Sequence, residues 1–254
     1  AGNVQITNSG TLTILDTTST ADDVTADINV LGFFSQISGG GGSVVTIAGD
    51  IVTSAGNSIS FQSPLTLTGN LLLQANGTGN ITLAGTVNAD SATNNRTLTL
   101  TSGGTTTIGG AVGGSQSLLS LTTNAGGTTQ LNGGTVTTTG TQTYNDAVVL
   151  GANTIVSSTS GPIQFSQDVS GAYSLSITAG TGNVSFSSTI GGGADPTGLS
   201  INTSGNVMFT GAVNIAGTMM VSGNDVAVNN GIYSSAAGNV QITNSGTLTI
   251  LDTT

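Results

Sequence analysis

The first eighteen residues of the sequence, 1–18, recur without a single change as residues 237–254. The copied stretch includes turn residues whose identity packing alone would not fix. Exact self-similarity at a fixed offset is typical of repeat architectures, in which one unit stacks on the next. We therefore interpret residues 1–236 as one period of a tandem array, and residues 237–254 as the start of the next identical period.

The charges of the sequence narrow the classes of partner. Eleven Asp residues face a single cation, Arg96, and Lys, Glu, His and Cys are all missing from the sequence. Recognition of nucleic acid or of an anionic lipid surface needs clusters of Lys and Arg. The apolar runs are also too short to cross a bilayer. We therefore expect no nucleic-acid partner and no membrane insertion.

Catalytic chemistry is restricted by the same inventory. A Ser-His-Asp hydrolase cannot be assembled without His, and general acid–base work is left to Asp, Tyr and Arg96. Glycosidases need two carboxylates that flank the substrate, and the Asp pairs of this sequence have no aromatic platform or basic clamp beside them. The sequence predicts that the protein is not an enzyme, with no catalytic residues and no cofactor unless calcium is bound.

One acidic segment has two interpretations. Carboxylates from a loop are the ligands that calcium prefers. The spacing of the segment matches neither an EF-hand loop nor the calcium-binding nonapeptide repeat. A solvated acidic loop is the favoured interpretation, and a calcium site is the alternative for Asp16, Asp22, Asp23 and Asp27.

A short apolar pattern recurs along the chain. Abundant Thr, Val and Ile together with forty Gly residues predict strands separated by frequent turns. In each copy of the pattern, residues i and i+2 share one face of a strand, and small residues then turn the chain at a corner. The clearest copies are Ile59/Phe61, Ile81/Leu83, Ile163/Phe165, Val184/Phe186 and Val207/Phe209, and weaker copies put Thr or Gln first, as in Thr106/Ile108, Thr129/Leu131 and Gln142/Tyr144.

The pattern returns at irregular intervals, which favours a solenoid over a sandwich. One coil cannot bury its inward side chains alone, whereas stacked coils form a continuous apolar column with parallel strands along its walls. The sequence thus predicts an all-β, parallel β-solenoid with about 10–12 coils of irregular length per period, advancing roughly 50 to 58 Å. The shorter intervals, such as Ile47 to Phe61 and Leu131 to Tyr144, are interpreted as tight or partial coils.

Several positions follow from this pattern. Phe33 and Ile37 are expected to point inward. Asn80 and Asn183 fit the N-glycosylation sequon, but they stand at predicted strand starts, where the turn chemistry of Asn is the favoured explanation. The two copies of the repeated segment are expected to occupy equivalent places one period apart and to continue the inward columns at the join through Val4, Ile6, Leu12, Ile14, Val240, Ile242, Leu248 and Ile250.

Residues 126–154, 182–192 and 198–214 resemble bacterial giant surface and secreted proteins built from β-strand repeats. Filamentous-haemagglutinin-like exoproteins and autotransporter-type adhesins belong to this broad group. The resemblance implies a right-handed parallel β-helix at the cell surface or beyond it. The expected function is that of a structural repeat unit of an extracellular filament, sheath or stalk, whose partners are identical repeats end to end and, laterally, further copies. The alternative is an adhesin-type binding module that recognises a glycan or a cell surface.

Overall fold

A computed structural model describes residues 2–16, 27–91, 93–234 and 238–251. All regular elements in these ranges are β-strands, and all strand pairings between them are parallel. The predicted all-β, parallel β-solenoid is confirmed. A helix long and apolar enough to span a bilayer does not occur in the described ranges.

The chain winds around three faces, which we call A, B and C, and visits them in this order once per turn. Face A contains Val4–Asn8 (β1), Phe34–Ser38 (β4), Ile59–Phe61 (β7), Ile81–Leu83 (β10), Thr105–Ile108 (β13), Thr128–Leu131 (β15), Ala147–Leu150 (β18), Val169–Ser170 (β21), the bridging residue Ile190, Val213–Ile215 (β26) and Ile232–Ser234 (β29). Face B contains Thr11–Ile14 (β2), Val44–Ile47 (β5), Leu65–Leu67 (β8), Val87–Ala89 (β11), the bridging residue Val112, Thr135–Thr138 (β16), Thr154–Ser158 (β19), Ser174–Gly180 (β22), Gly198–Thr203 (β24), Thr218–Gly223 (β27) and Val240–Asn244 (β30). Face C contains Ile28–Val30 (β3), Ile51–Thr53 (β6), Leu71–Ala75 (β9), Thr97–Ser102 (β12), Ser120–Thr123 (β14), Gln142–Tyr144 (β17), Ile163–Phe165 (β20), Val184–Phe186 (β23), Val207–Phe209 (β25), Val226–Val228 (β28) and Leu248–Ile250 (β31).

The number of turns agrees with the lower end of the expected range. The described residues place eleven strands on face C, so ten turns separate β3 from β31. The short intervals in the sequence pattern are not tight coils. Ile47 lies on face B and Phe61 on face A, while Leu131 lies on face A and Tyr144 on face C. These intervals are steps between faces, and the pattern did not reveal this because all three faces carry the same i, i+2 signature.

The interior of the solenoid is filled by the inward residues of each strand. Most of the predicted pairs are confirmed: Val184 and Phe186, for example, are no more than 1% exposed. The expectation for Phe33 and Ile37 is wrong, because β4 points Phe34 and Gln36 inward, each 0% exposed. Two adjacent phenylalanines leave the register of a strand ambiguous by one residue, and a slip of one residue exchanges the two faces of the strand.

An aromatic column runs inside face C. Tyr144, Phe165, Phe186 and Phe209 occupy the same position on four successive turns. Their ring centroids are 4.8, 4.8 and 5.4 Å apart, with planes within 10° of parallel. The spacing follows from the strand-to-strand distance of a parallel sheet, which brings identical in-register side chains into contact. Burial raises the pKa of the Tyr144 phenol, whose hydroxyl donates to Gln142 Oε1 at 2.8 Å.

Two inward threonines on face A differ in their polar partners. Thr106 is 0% exposed, and its Oγ1 is the one buried side-chain polar atom in the described residues without a hydrogen-bond partner. Thr129, its neighbour on the next turn, donates from Oγ1 to Asp146 Oδ2 at 3.1 Å. A buried hydroxyl that makes no hydrogen bond destabilises the folded protein, because no hydrogen bond offsets the cost of removing the hydroxyl from water.

We expect T106V to raise the free energy of unfolding by about 1 kcal/mol, because valine keeps the shape and removes the unpaired hydroxyl. The matched control T129V should lower the free energy of unfolding, because it leaves the buried Asp146 carboxylate short of a donor. Urea titration of the three proteins measures both changes. Equal effects of the two substitutions would contradict the difference in hydrogen bonding between the Thr106 and Thr129 hydroxyl groups.

Candidate junction between periods

The two copies of the repeated segment fold in the same way locally. Strand β1 corresponds to β30, and β2 corresponds to β31 with one residue fewer at its start. The corner between them is also the same, since Asn8 Nδ2 donates to Gly10 O and Asn244 Nδ2 donates to Gly246 O. The sequence alone therefore specifies this strand–corner–strand unit.

The inward residues of the two copies differ in how far they are covered. In the first copy, the turn above places Val45 next to Leu12 and Ile47 next to Ile14, and Ile14 is 7% exposed. In the second copy, Leu248 and Ile250 rest on the turn below, and β31 is the last strand described on its face. As a result, the exposed fraction rises to 62% at Ile250, although it is the same residue in the same local structure as Ile14.

All eight predicted junction residues lie on the four strands of the two copies. Val4, Ile6, Leu12 and Ile242 are partly buried and pack against the core, and Ile14 belongs to the core itself. Val240, Leu248 and Ile250 are exposed. Val240, Leu248 and Ile250 stand on the last described strands of faces B and C, where no further described turn covers them.

A polar contact also fixes the position of the first copy under the next turn. Gln36 is 0% exposed, and its Nε2 donates to Asn8 Oδ1 at 2.7 Å and to Ser63 Oγ at 2.8 Å. Its Oε1 accepts from the backbone N–H groups of Gln62 and Ser63 at 3.0 and 2.9 Å. A buried amide with all its partners in place specifies a single register.

A ladder of side-chain carbonyl groups crosses the junction at the corner between faces B and C. Asn183 Oδ1 accepts from the N–H of Asn206 at 2.8 Å, Asn206 Oδ1 from the N–H of Asp225 at 3.1 Å, and Asp225 Oδ1 from the N–H of Thr247 at 2.8 Å. Each side-chain oxygen, from an Asn amide or the Asp225 carboxylate, accepts from a corner N–H on the next turn, where the sheet ladder leaves that N–H unpaired. Thr247 belongs to the second copy of the repeated segment, so the ladder ties this copy to the preceding turns.

The sequence signal for this ladder is an Asn or Asp directly before an inward apolar residue. Asn80 behaves in the same way at another corner, where its Oδ1 accepts from the N–H of Thr105 at 2.7 Å. The expected turn chemistry would bond the Asn side chain to its own turn, whereas Asn80 and Asn183 bond to the backbone of the next turn of the solenoid. The link from turn to turn was missed, because sequence spacing does not show which corners stack.

The four acidic candidates are only partly described. Asp22 and Asp23 lie outside the described residues. Asp27 Oδ2 accepts from the N–H of Asp50 at 2.9 Å, and Asp50 Oδ1 accepts from the N–H of Leu72 at 2.7 Å, which is again a corner ladder. The described residues contain no group of three or more side chains arranged to hold a metal ion. The calcium interpretation of Asp16, Asp22, Asp23 and Asp27 stays a prediction.

The single cation of the sequence, Arg96, forms an ion pair with a nearby residue of the same loop. Arg96 binds Asp90 through two hydrogen bonds, Nε to Oδ1 and Nη2 to Oδ2, both 2.9 Å long. Asn94 Nδ2 also donates to Asp90 Oδ2 at 3.0 Å. The hydrogen bond from Arg96 lowers the pKa of Asp90 to about 2. The two side chains are about a quarter exposed, so the pair stabilises a surface loop.

Asp146 is a buried carboxylate, 1% exposed, and its environment opposes its charge. Desolvation raises its pKa, although the N–H of Gly127 and the hydroxyl of Thr129 both donate to it. A raised pKa means that the folded protein holds the proton more tightly than the unfolded chain does. The contribution to stability is therefore fully present below the unfolded pKa and is lost as the pH rises through the folded pKa.

We expect D146N to remove this pH dependence, because an amide occupies the same space without ionising. The free energy of unfolding of the wild-type protein should fall from acidic to neutral pH relative to that of D146N, measured by urea titration at a series of pH values. If the free energies of unfolding of the two proteins change with pH in parallel, Asp146 does not have a raised pKa in the folded protein.

Comparison with protein-family models, with curated proteins and with solved structures found no match to this chain.

Proposed function

We propose that the chain is a structural repeat unit of an extracellular β-solenoid filament, sheath or stalk. The observation that carries the proposal is that the two copies of the repeated segment, 236 residues apart in the sequence, form the same pair of strands within one run of stacked turns. In the proposed array, the segment that follows residue 18 of a period stacks on β30 and β31. In the first copy this segment supplies Phe34 above Val4 and Ile47 above Ile14.

The outer surface suits a long uniform stack. Outward side chains repeat in register from turn to turn, as in the row Thr99, Thr122 and Thr143 on face C. Stacked hydroxyl groups interact favourably across strands, whereas stacked like charges repel. A row of hydroxyl groups of this kind can be repeated from turn to turn without adding repulsion between like charges.

An extracellular or cell-surface location belongs to the same proposal. It is supported by the resemblance of residues 126–154, 182–192 and 198–214 to giant bacterial surface and secreted proteins. Neighbouring copies of the period, joined end to end in one chain, are the proposed partners.

The alternative, an adhesin-type binding module, requires a localised recognition surface. The large apolar side chains that face outward are spread over the three faces: Met208 is on face C, Met220 on face B and Tyr233 on face A. Contiguous exposed apolar patches mark interaction sites, and single exposed residues do not. The geometry of the described residues therefore favours the structural function.

The test compares the present chain with a longer one in which residues 1–236 occur twice before residues 237–254. Electron microscopy should show straight rods, and the second period should lengthen them by ~50 Å. A glycan array and cell-binding assays with the same proteins address the alternative. Two separate globular particles joined by a linker would overturn the structural proposal, and saturable binding by a single period would favour the adhesin.

A further inference from the structure

The two copies of the repeated segment lie on different faces of the solenoid. Strand β1 belongs to face A and pairs with β4, whereas its copy β30 belongs to face B and pairs with β27. Likewise, β2 belongs to face B, and its copy β31 belongs to face C, where it pairs with β28. The expectation that the two copies occupy equivalent places is wrong with respect to the face, although their local folds agree.

The displacement follows from the number of faces in one period. Strand β1 is the first level of face A in the described chain, and β29 is the eleventh, so β29 lies ten turns above β1. Strand β30 is one face further along the chain. One period therefore contains ten complete turns and one additional face, which is not a whole number of turns.

We infer that each period of the array is displaced by one face from the period before it, so that identical surfaces recur on faces A, B and C in turn. This inference rests on the proposed tandem filament. The fourth period is then the first to repeat the orientation of the first. At ten and one third turns per period, three periods span ~150 Å of the axis.

The three corners of the solenoid are interchangeable enough to allow this displacement. The same Asn-to-carbonyl hydrogen bond closes the corner from face A to face B at Asn8 and the corner from face B to face C at Asn244. Ile14 lies beneath Ile47 on face B and Ile250 lies above Val228 on face C, so each copy stacks against an aliphatic side chain, on opposite sides of the repeated strand. The repeated segment thus fits both settings without a change of local structure.

The displacement determines how such a filament can contact a second copy of itself. An outward side chain such as Tyr233, on face A here, appears on face B in the next period and on face C in the one after. A lateral contact through one face of a straight filament then recurs only every third period. Because successive periods place the same contact surface on faces A, B and C, each filament can pack against three neighbours. This arrangement is favoured over a flat ribbon in which filaments contact each other through one face only.

Cysteine cross-linking tests the displacement in the present chain, whose sequence contains no Cys. Gln241 is next to Met220 on the strand below it, in face B. If the copy instead repeated the face of its original, Gln241 would lie on face A, above Tyr233. The pair Met220→Cys and Gln241→Cys should react with a thiol-to-thiol linker no longer than the strand spacing of ~4.8 Å. The matched pair Tyr233→Cys and Gln241→Cys should not react, and the reverse result would overturn the inference.

A chain with residues 1–236 in three successive copies before residues 237–254 extends the test to the array. Near-atomic electron microscopy of its rods should place the three copies of Tyr233 on three different faces. A continuous rod with all three copies on one face would overturn the displacement and leave the proposed filament standing. Three periods that do not form one continuous rod would overturn both.

Discussion

F186A is expected to lower the free energy of unfolding by about 3–5 kcal/mol, the cost of removing a fully buried aromatic ring. Phe186 is 1% exposed and is stacked between Phe165 and Phe209, with centroids 4.8 and 5.4 Å away. The substitution leaves a cavity and removes two ring contacts at once. The backbone on either side cannot collapse into the cavity, because the strand spacing is fixed by the parallel ladder.

Urea titration measures this loss, and hydrogen exchange at the amides of β20, β23 and β25 locates it. In a stacked array each turn contacts only its neighbours, so increased exchange should be concentrated around the cavity. The outward neighbour Ser185 provides the control, since S185A should change the free energy of unfolding by less than about 0.5 kcal/mol. A loss of under ~1 kcal/mol for F186A would mean that the column contributes little to stability.

I14A is expected to lower the free energy of unfolding of the present chain by about 2–5 kcal/mol in the segment that contains β2, and I250A should have almost no effect. The two positions carry the same residue in the same local structure, and they differ in whether a turn lies above them, with exposed fractions of 7% and 62%. Hydrogen exchange at the amides of β2 and β5, compared with those of β28 and β31, measures the two effects separately.

The comparison of I14A with I250A is more informative in the longer chain that contains residues 1–236 twice. There the residue at position 250 is followed by a complete period, and the next turn should cover it as Ile47 covers Ile14. I250A should then be as destabilising as I14A. If I250A stays neutral in the longer chain, the next period does not stack on the junction.

The course of the chain around the core was largely predictable from residues whose side chains alternate. Val207 and Phe209 show the pattern clearly, and even the inward Gln142 was recognised because Tyr144 follows it at i+2. The pattern failed at Phe33 and Phe34, where two equivalent side chains are adjacent. In the observed register, Phe34 packs against Phe61 and Gln36 makes hydrogen bonds inside the solenoid.

The arrangement of the junction was less accessible from sequence. The repeated segment predicts that Ile14 and Ile250 both point inward, and their pairing with the inward residues Ile47 and Val228 agrees with this. It does not predict the face, because the inward pattern is identical on faces A, B and C. The face follows from counting every corner between β1 and β30, including those at Val112 and Ile190, where a single bridging residue replaces a strand.

The most direct test of the account is the axial rise per period in rods made from tandem copies of residues 1–236. With ten and one third turns and strands spaced ~4.8 Å along the axis, the rise should be ~50 Å. Fibre diffraction of aligned rods should place the strand-spacing reflection along the rod axis. A rise clearly different from ~50 Å, or a strand-spacing reflection perpendicular to the axis, would contradict a continuous solenoid running from one period into the next.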